Sequence, residues 1–228
     1  LIRAITFDLD DTLWPVMPAI ERAEQRLYQW MKVQHPQVIE TQGKDGIQRL
    51  RDQVIIDRPD LHHDFSALRL VCLEMAMLPC GCSEKDVKRA FEVFFEARNQ
   101  VDLYQDVQPM LKRLSGQYLL ATISNGNADI ERIGLGSWFT LAVHARQVGY
   151  AKPHPEVFLT AARGLGLKPE QILHVGDHPE QDVAGARRAG FNAVWLNRED
   201  HRWGDVQHQE TEKISSLDEL EATLLKYI

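Results

Sequence analysis

A single strand pattern opens this 228-residue chain, and the next does not appear until Tyr118. In Ala4-Ile5-Thr6-Phe7-Asp8-Leu9, the apolar residues Ile5, Phe7 and Leu9 mark a buried strand. Helical spacing then takes over. It runs through residues 19–33, through 47–54, and along Phe65, Leu68, Cys72 and Met75. A further helix carries Val87, Ala90, Phe91, Phe94 and Phe95, with Ser83 and Asp86 placed to cap it and residues 79–82 as the break before it. From Tyr118 strands alternate with helices. The strands are expected at 118–123, 139–143, 172–175 and 193–196, and the helices at 155–165, 181–189 and 217–225. Gly190 supplies a left-handed stop to the second of these helices.

Strand-helix alternation implies a parallel sheet with right-handed crossovers. The first strand joins that sheet only if the long helical stretch is an excursion from it. The expected fold is therefore α/β: a doubly wound, Rossmann-like parallel sheet core over residues 1–14 and 101–228, with an inserted all-helical cap over 15–100.

Bulk properties remove several function classes. Hydrophobic residues make up 44% and charged residues 26%, as in ordinary globular proteins. Net charge is −7, which argues against a nucleic-acid surface as partner. The longest apolar runs are too short to span a bilayer, so no membrane partner is expected. No basic start followed by an apolar stretch marks a leader, and a cytoplasmic location is the expectation. The three cysteines read as reduced thiols: Cys72 in a helical core pattern, and Cys80 and Cys82 at a helix-helix turn, where two cysteines make only half a zinc site.

Chemistry is expected where the strands end, because ligands of doubly wound sheets bind outside the carboxyl ends of strands. The first strand runs into Asp8-Leu9-Asp10-Asp11-Thr12-Leu13. Residues two apart on a strand share a face, so Asp8 and Asp10 are expected to point at one spot. Like charges held together call for a divalent cation, a shared proton or a catalytic task. The second strand ends in Ser124-Asn125-Gly126-Asn127, a later one in Gly176-Asp177 with Asp182 following, and Lys152 precedes a helix in Ala151-Lys152-Pro153. Taken singly, each has a plain reading: a turn for Asp10-Asp11-Thr12 and for Ser124-Asn125-Gly126, a solvated lysine, a helix cap at Asp182. His154, His174 and His178 flank these motifs and read as surface or packing histidines.

In order, the four motifs resemble those of the haloacid dehalogenase superfamily of phosphatases, over residues 4 to roughly 197. The resemblance implies that Asp8 is a nucleophile forming an aspartyl-phosphate, and that Asp10 is the acid/base. It implies a magnesium site made by Asp8, the Asp10 carbonyl and Asp177, with Asp182 either a ligand through water or a partner of Lys152. Ser124 and Asn125, with nearby backbone amides, and Lys152 are implied to hold the phosphoryl oxygens. The implied partner is a small phosphorylated metabolite, selected by a helical lid.

Within the superfamily, the metal-free dehalogenases lack an acid/base Asp two residues after the nucleophile, so Asp10 favours phosphoryl transfer. A phosphomutase of sugar phosphates, a 2-haloacid dehalogenase and a non-catalytic binding module are the alternatives. Ile123-Ser124-Asn125-Gly126-Asn127-Ala128, Gly134-Leu135-Gly136 and Ile172-Leu173-His174-Val175-Gly176-Asp177 are similar to segments of bacterial flavin-pathway phosphatases, which act on FMN and on the phosphoribitylamino-uracil intermediate of riboflavin synthesis. Trp14 reads either as a ring that stacks on such a substrate or as a packed aromatic. Arg49, Arg69 and Arg98 read as surface arginines of the helical segment.

Overall fold

Six parallel strands form one sheet in the computed structural model, which describes residues 1–43, 45–201 and 212–227. The strands are β1 (Ala4–Phe7), β2 (Leu119–Ser124), β3 (Leu141–His144), β4 (Ile172–Gly176), β5 (Asn192–Leu196) and β6 (Glu212–Ile214). Their order across the sheet is β3-β2-β1-β4-β5-β6. All four residues of β1 and all five of β4 are buried, the signature of parallel strands covered on both faces. The sheet is thus the doubly wound type expected from the alternation. The third strand begins two residues later than its pattern indicates, and the short edge strand β6 carries no pattern of its own.

Strand order decides where a site can form. β1 lies between β2 and β4, with Phe7 paired to Thr122 on one side and Val175 on the other. Chain order reverses at this centre, so connections leave in opposite directions and a crevice opens beyond the strand ends. The residues that follow Phe7, Ile123 and Gly176 therefore share one rim.

The chain divides into two compact units. One comprises Leu1–Pro15, Asp102–Gly126 and Gly134–Ile228, the other Val16–Val101 and Asn127–Ile133. In the sheet unit Val157, Phe158, Ala161 and Ala162 of helix Pro155–Leu165 pack with Ile123, Val143, Ile172 and Val183. The segment expected as helix 181–189 starts earlier, at Pro179, as a π-helical turn to Ala184 that passes into an α-helix at Gly185–Arg188. Gly190 closes it with φ +85°.

The helical unit holds α1 (Val16–Gln34), α2 (Pro36–Gln42), α3 (Gly46–Asp57), α4 (Phe65–Met77) and α5 (Glu84–Arg98). Ala23, Leu27 and Met31, four apart on α1, meet Leu73 and Met77 of α4 and Ala90 and Phe94 of α5. Asp64 caps α4 by accepting from Ser66 N and Ala67 N, both at 3.0 Å, and Ser83 with Asp86 forms the expected capping box on α5. The three cysteines are free, with Cys72 buried. Two arginines expected at the surface are buried: Arg98 is 1% exposed, and Arg69 pairs with Glu24 at 2.5 Å and lies 4.0 Å over the Phe94 ring. A guanidinium enters a core when a carboxylate and a ring face replace its water. Arg49 is exposed, as expected. Among the described residues, no helix is long and apolar enough to cross a membrane.

Candidate active site

Asp8 is the first residue beyond β1, and its N–H still donates to Val175 O at 2.9 Å. The ladder stops there. Asp11 adopts φ +58°, Leu13 N donates to Leu9 O at 2.8 Å and Asp11 N to Trp14 O at 2.7 Å, so the chain turns away from the sheet. The strand ladder ends before Asp10, so the two carboxylates are placed by the turn rather than by a strand's two-residue repeat, and each has its own partner. Asp8 faces Lys152, whereas Asp10 faces Trp14.

Lys152 Nζ donates to Asp8 Oδ1 and, at 2.6 Å, to Asp182 Oδ1. All three side chains are nearly inaccessible. Carboxylate oxygens of Asp8, Asp177 and Asp182 lie within 4.8 Å of one another. Burial pushes the Asp8 carboxyl well up; Lys152 opposes this, while Asp182 and Asp177 add to it. Burial, together with Asp182, pushes Asp177 up to about 7, and a hydrogen bond from Thr12 Oγ1 at 3.1 Å works the other way. Asp182 is buried too, but Lys152 and His174 hold it well below the usual carboxylate range. Burial alone would lower Lys152; Asp182 and Asp8 more than reverse that and keep it charged.

Asp10 Oδ1 accepts from the indole N–H of Trp14 at 2.9 Å. Trp14 is 0% exposed, so it is a packed ring and not a platform for a flavin or uracil. On the other side of Asp10, a Cβ added to Gly126 would fall 2.5 Å from Asp10 Oδ2 and 3.3 Å from Ser124 Oγ. Only glycine lets the loop after β2 come this close. Ser124 is 1% exposed and its Oγ accepts from Gly126 N at 3.0 Å. The Asn125 side chain is engaged within the protein. Its Nδ2 donates to Lys152 O and Gln181 Oε1, both at 3.0 Å, and its Oδ1 accepts from Lys152 N at 2.7 Å. The Asn125 side chain thus ties the lysine loop to the end of β2.

Several residues outside the expected catalytic set support the site. Thr6 Oγ1 and His174 Nδ1 lie 2.9 Å apart, and His174 Nε2 meets Asp182 Oδ1 at 3.1 Å. Burial holds the His174 imidazole below its usual range, hence neutral. The Thr12 carbonyl accepts from Arg198 Nη2 at 3.0 Å, and Arg198 is anchored by Asp106 at 2.9 and 3.0 Å. Trp195 Nε1 donates to Asp177 O at 2.7 Å. One signal for Thr6 and His174 was present: a polar residue inside a strand buried on both faces must find a partner there. Of the flanking histidines, His178 is exposed and caps its helix by accepting from Glu180 N and Gln181 N, both at 3.2 Å.

The donor set suits a hard divalent cation. Three carboxylates gather about one ammonium, an excess of negative charge once all three are ionised, and all the donors are oxygens. Within the set Asp182 is already committed, because its Oδ1 takes Lys152 and His174 and its Oδ2 takes His178 N at 2.9 Å. Asp8 and Asp177 are the carboxylates best suited to a cation, and Asp182 is the partner of the lysine. A cavity of about 320 Å³ lined by Glu24, Leu27, Tyr28, Asp45 and Gln48 lies within the helical unit and contains none of the motif residues.

The chain is similar to known proteins along its length. The model of the haloacid dehalogenase-like hydrolases matches residues 2–190. A 5-amino-6-(5-phospho-D-ribitylamino)uracil phosphatase, YigB of Escherichia coli K12, is 34% identical over 96% of both chains. A phosphoserine phosphatase of Thermus thermophilus is 35% identical over 54% of this chain and 52% of its own. Among solved structures, a 2-haloacid dehalogenase from Pseudomonas syringae pv. Tomato DC3000 superposes with a TM-score of 0.91 and 36% identity, covering 100% of both chains. The sheet, the strand-end carboxylates and these relatives agree, and the chain belongs to the haloacid dehalogenase-like hydrolases.

Proposed function

We propose that this hydrolase is a magnesium-dependent phosphatase of small phosphomonoesters, acting through an aspartyl-phosphate on Asp8. One observation carries the reading: the two carboxylates of the Asp-x-Asp pair have different partners, Lys152 for Asp8 and Trp14 for Asp10. Carboxylates in distinct environments can take distinct roles. Asp8 Oδ attacks phosphorus, and Lys152 offsets charge on both the nucleophile and the phosphoryl group. Asp10, oriented by the Trp14 indole, gives its proton to the departing oxygen. It then takes one from the water that hydrolyses the acyl-phosphate. Ser124 and the amides of its turn hold phosphoryl oxygens. A magnesium ion bound by Asp8, Asp177 and the Asp10 carbonyl would neutralise the repulsion between carboxylate and phosphate. Selection of the leaving group we assign to the helical unit.

Among phosphomonoesters, the similarity to YigB over 96% of the chain supports the ribitylamino-uracil phosphate, and with it FMN, as the first substrates to try. A second reading, 2-haloacid dehalogenation, is favoured by the 36% identity to the Pseudomonas syringae protein. Asp10 and its indole partner speak against it, since displacement of halide needs no proton donor at that position.

The test is a phosphate-release screen with magnesium over flavin-pathway phosphates, sugar phosphates and nucleotides, run beside halide release from 2-haloacids. Phosphate release that is stopped by EDTA, restored by magnesium and abolished in Asp8→Asn supports the proposal. Halide release that persists in EDTA refutes it. Conversion of a sugar phosphate to its isomer would make the protein a mutase.

A further inference from the structure

Lys152 is held by two carboxylates, and one of them, Asp182, is itself held from behind. Thr6 and His174 face each other across β1 and β4 as directly paired residues, both 0% exposed. Phe158 meets the His174 ring edge-on at 5.2 Å and limits its rotation. An ionised carboxylate only accepts, so the contact between His174 Nε2 and Asp182 Oδ1 requires the proton on Nε2. Nδ1 of a neutral ring must then accept, and the group opposite it is the Thr6 hydroxyl. The bonds run one way, from Thr6 O–H to His174, from His174 N–H to Asp182, with Lys152 donating to Asp182 and Asp8.

We propose that His174, with its tautomer set by Thr6, is a positioning residue for the reaction: it fixes Asp182 so that Lys152 is presented to Asp8 and to the transferring phosphoryl group. The proposal rests on the phosphatase reading above. Neither residue touches the reacting atoms. Without the N–H of His174, the Asp182 oxygen loses one of its two donors, and the carboxylate is free to draw the ammonium away from Asp8. Hydrogen-bonded supports of metal-ligand side chains typically alter activity by about 10- to 100-fold, and the same range is expected for this support of a charged site residue.

Two variants separate positioning from packing. His174→Phe keeps a ring against Phe158 and removes both hydrogen bonds, while His174→Gln returns a donor near the Nε2 position. The expected result is a kcat lowered about 10- to 100-fold in His174→Phe, with KM changed by less than about threefold, and recovery of most of the loss in His174→Gln. Thr6→Val should lower kcat by about fivefold alone and not at all in the His174→Phe background, since one chain of bonds is being cut twice. A His174→Phe enzyme that keeps wild-type kcat, a His174→Gln enzyme as slow as His174→Phe, or additive losses would each overturn the proposal. Wild-type protein that releases no phosphate would instead remove the phosphatase reading. Nitrogen-15 NMR of the wild-type imidazole is independent of turnover and of variant folding. A proton on Nε2 is expected, and a bare Nε2 with the proton on Nδ1 would overturn the relay.

Discussion

The indole N–H of Trp14 donates to the carboxylate of Asp10 at 2.9 Å, from a ring with no exposed surface. A loop residue four positions on thus orients the proposed acid/base. Replacing Trp14 with Phe retains an aromatic ring and removes the donor. The expected outcome is a fall in kcat of about tenfold and a loss of about 1–2 kcal/mol in stability. Steady-state kinetics beside urea unfolding checks both. An unchanged kcat would detach Trp14 from proton transfer.

Asp177 predicts how the metal-free protein responds to pH. Its carboxyl is raised from 3.8 to about 7 by burial and by Asp182. The folded state therefore holds a proton that the unfolded state has lost. The stability this contributes is full below the unfolded value and declines as pH rises through about 7. In EDTA the midpoint of thermal unfolding should fall between pH 5 and pH 8, and magnesium should restore it at the upper end, where the carboxylate is free to bind. Magnesium affinity measured by calorimetry should rise by about tenfold per pH unit up to that point, as a proton is displaced. An affinity flat with pH would show that Asp177 is not a ligand.

Removal of the Lys152 ammonium leaves Asp8 and Asp182 facing each other in a buried site. Lys152→Met should cost about 3–5 kcal/mol at neutral pH, the usual result of stripping one partner from a buried ion pair. The loss should shrink as pH is lowered and one carboxylate takes up a proton. Urea midpoints at pH 5 and pH 8 measure this directly. Activity should be lost at both.

Gly126 approaches Asp10 too closely for a side chain, with a virtual Cβ 2.5 Å from Oδ2. Gly126→Ala should displace that carboxylate and reduce turnover at least tenfold, at a stability cost of about 1–3 kcal/mol. Gly116→Ala is the control, because a Cβ there meets nothing within 4 Å, and it should behave as wild type. Equal kinetics in the two variants would contradict the close approach.

Particular residues show how far the chain could be read in advance. The apolar run of β1, the spacing of Val87, Ala90 and Phe94, and the Ser83-Asp86 capping box are relations between neighbours, and they appear in the structure as expected. So does the parallel sheet, since alternation of strand and helix constrains topology. The end of the strand at Phe7 and the turn at Asp11, which give Asp8 and Asp10 different hydrogen-bond partners, are not legible in the apolar run that continues to Leu9. Arg69 and Arg98 carry no sign of burial in the sequence; for Arg69 the burial depends on Glu24 and Phe94, which come from other helices.

Local order along the chain was enough to establish the sheet class and to point to the helical excursion and the strand-end carboxylates. Those follow from repeats of two and 3.6 residues and from motif order, which are short-range properties. The pairing of Thr6 with His174 spans 168 positions, and that of Thr12 with Arg198 spans 186. Contacts at such separations exist only once the strand order has placed β1 beside β4 and the register has set each residue opposite its partner. Folding thereby assigned the lysine its two carboxylates and His174 its partners Thr6 and Asp182, because a buried charge or polar group must be satisfied by whatever the packed neighbours present.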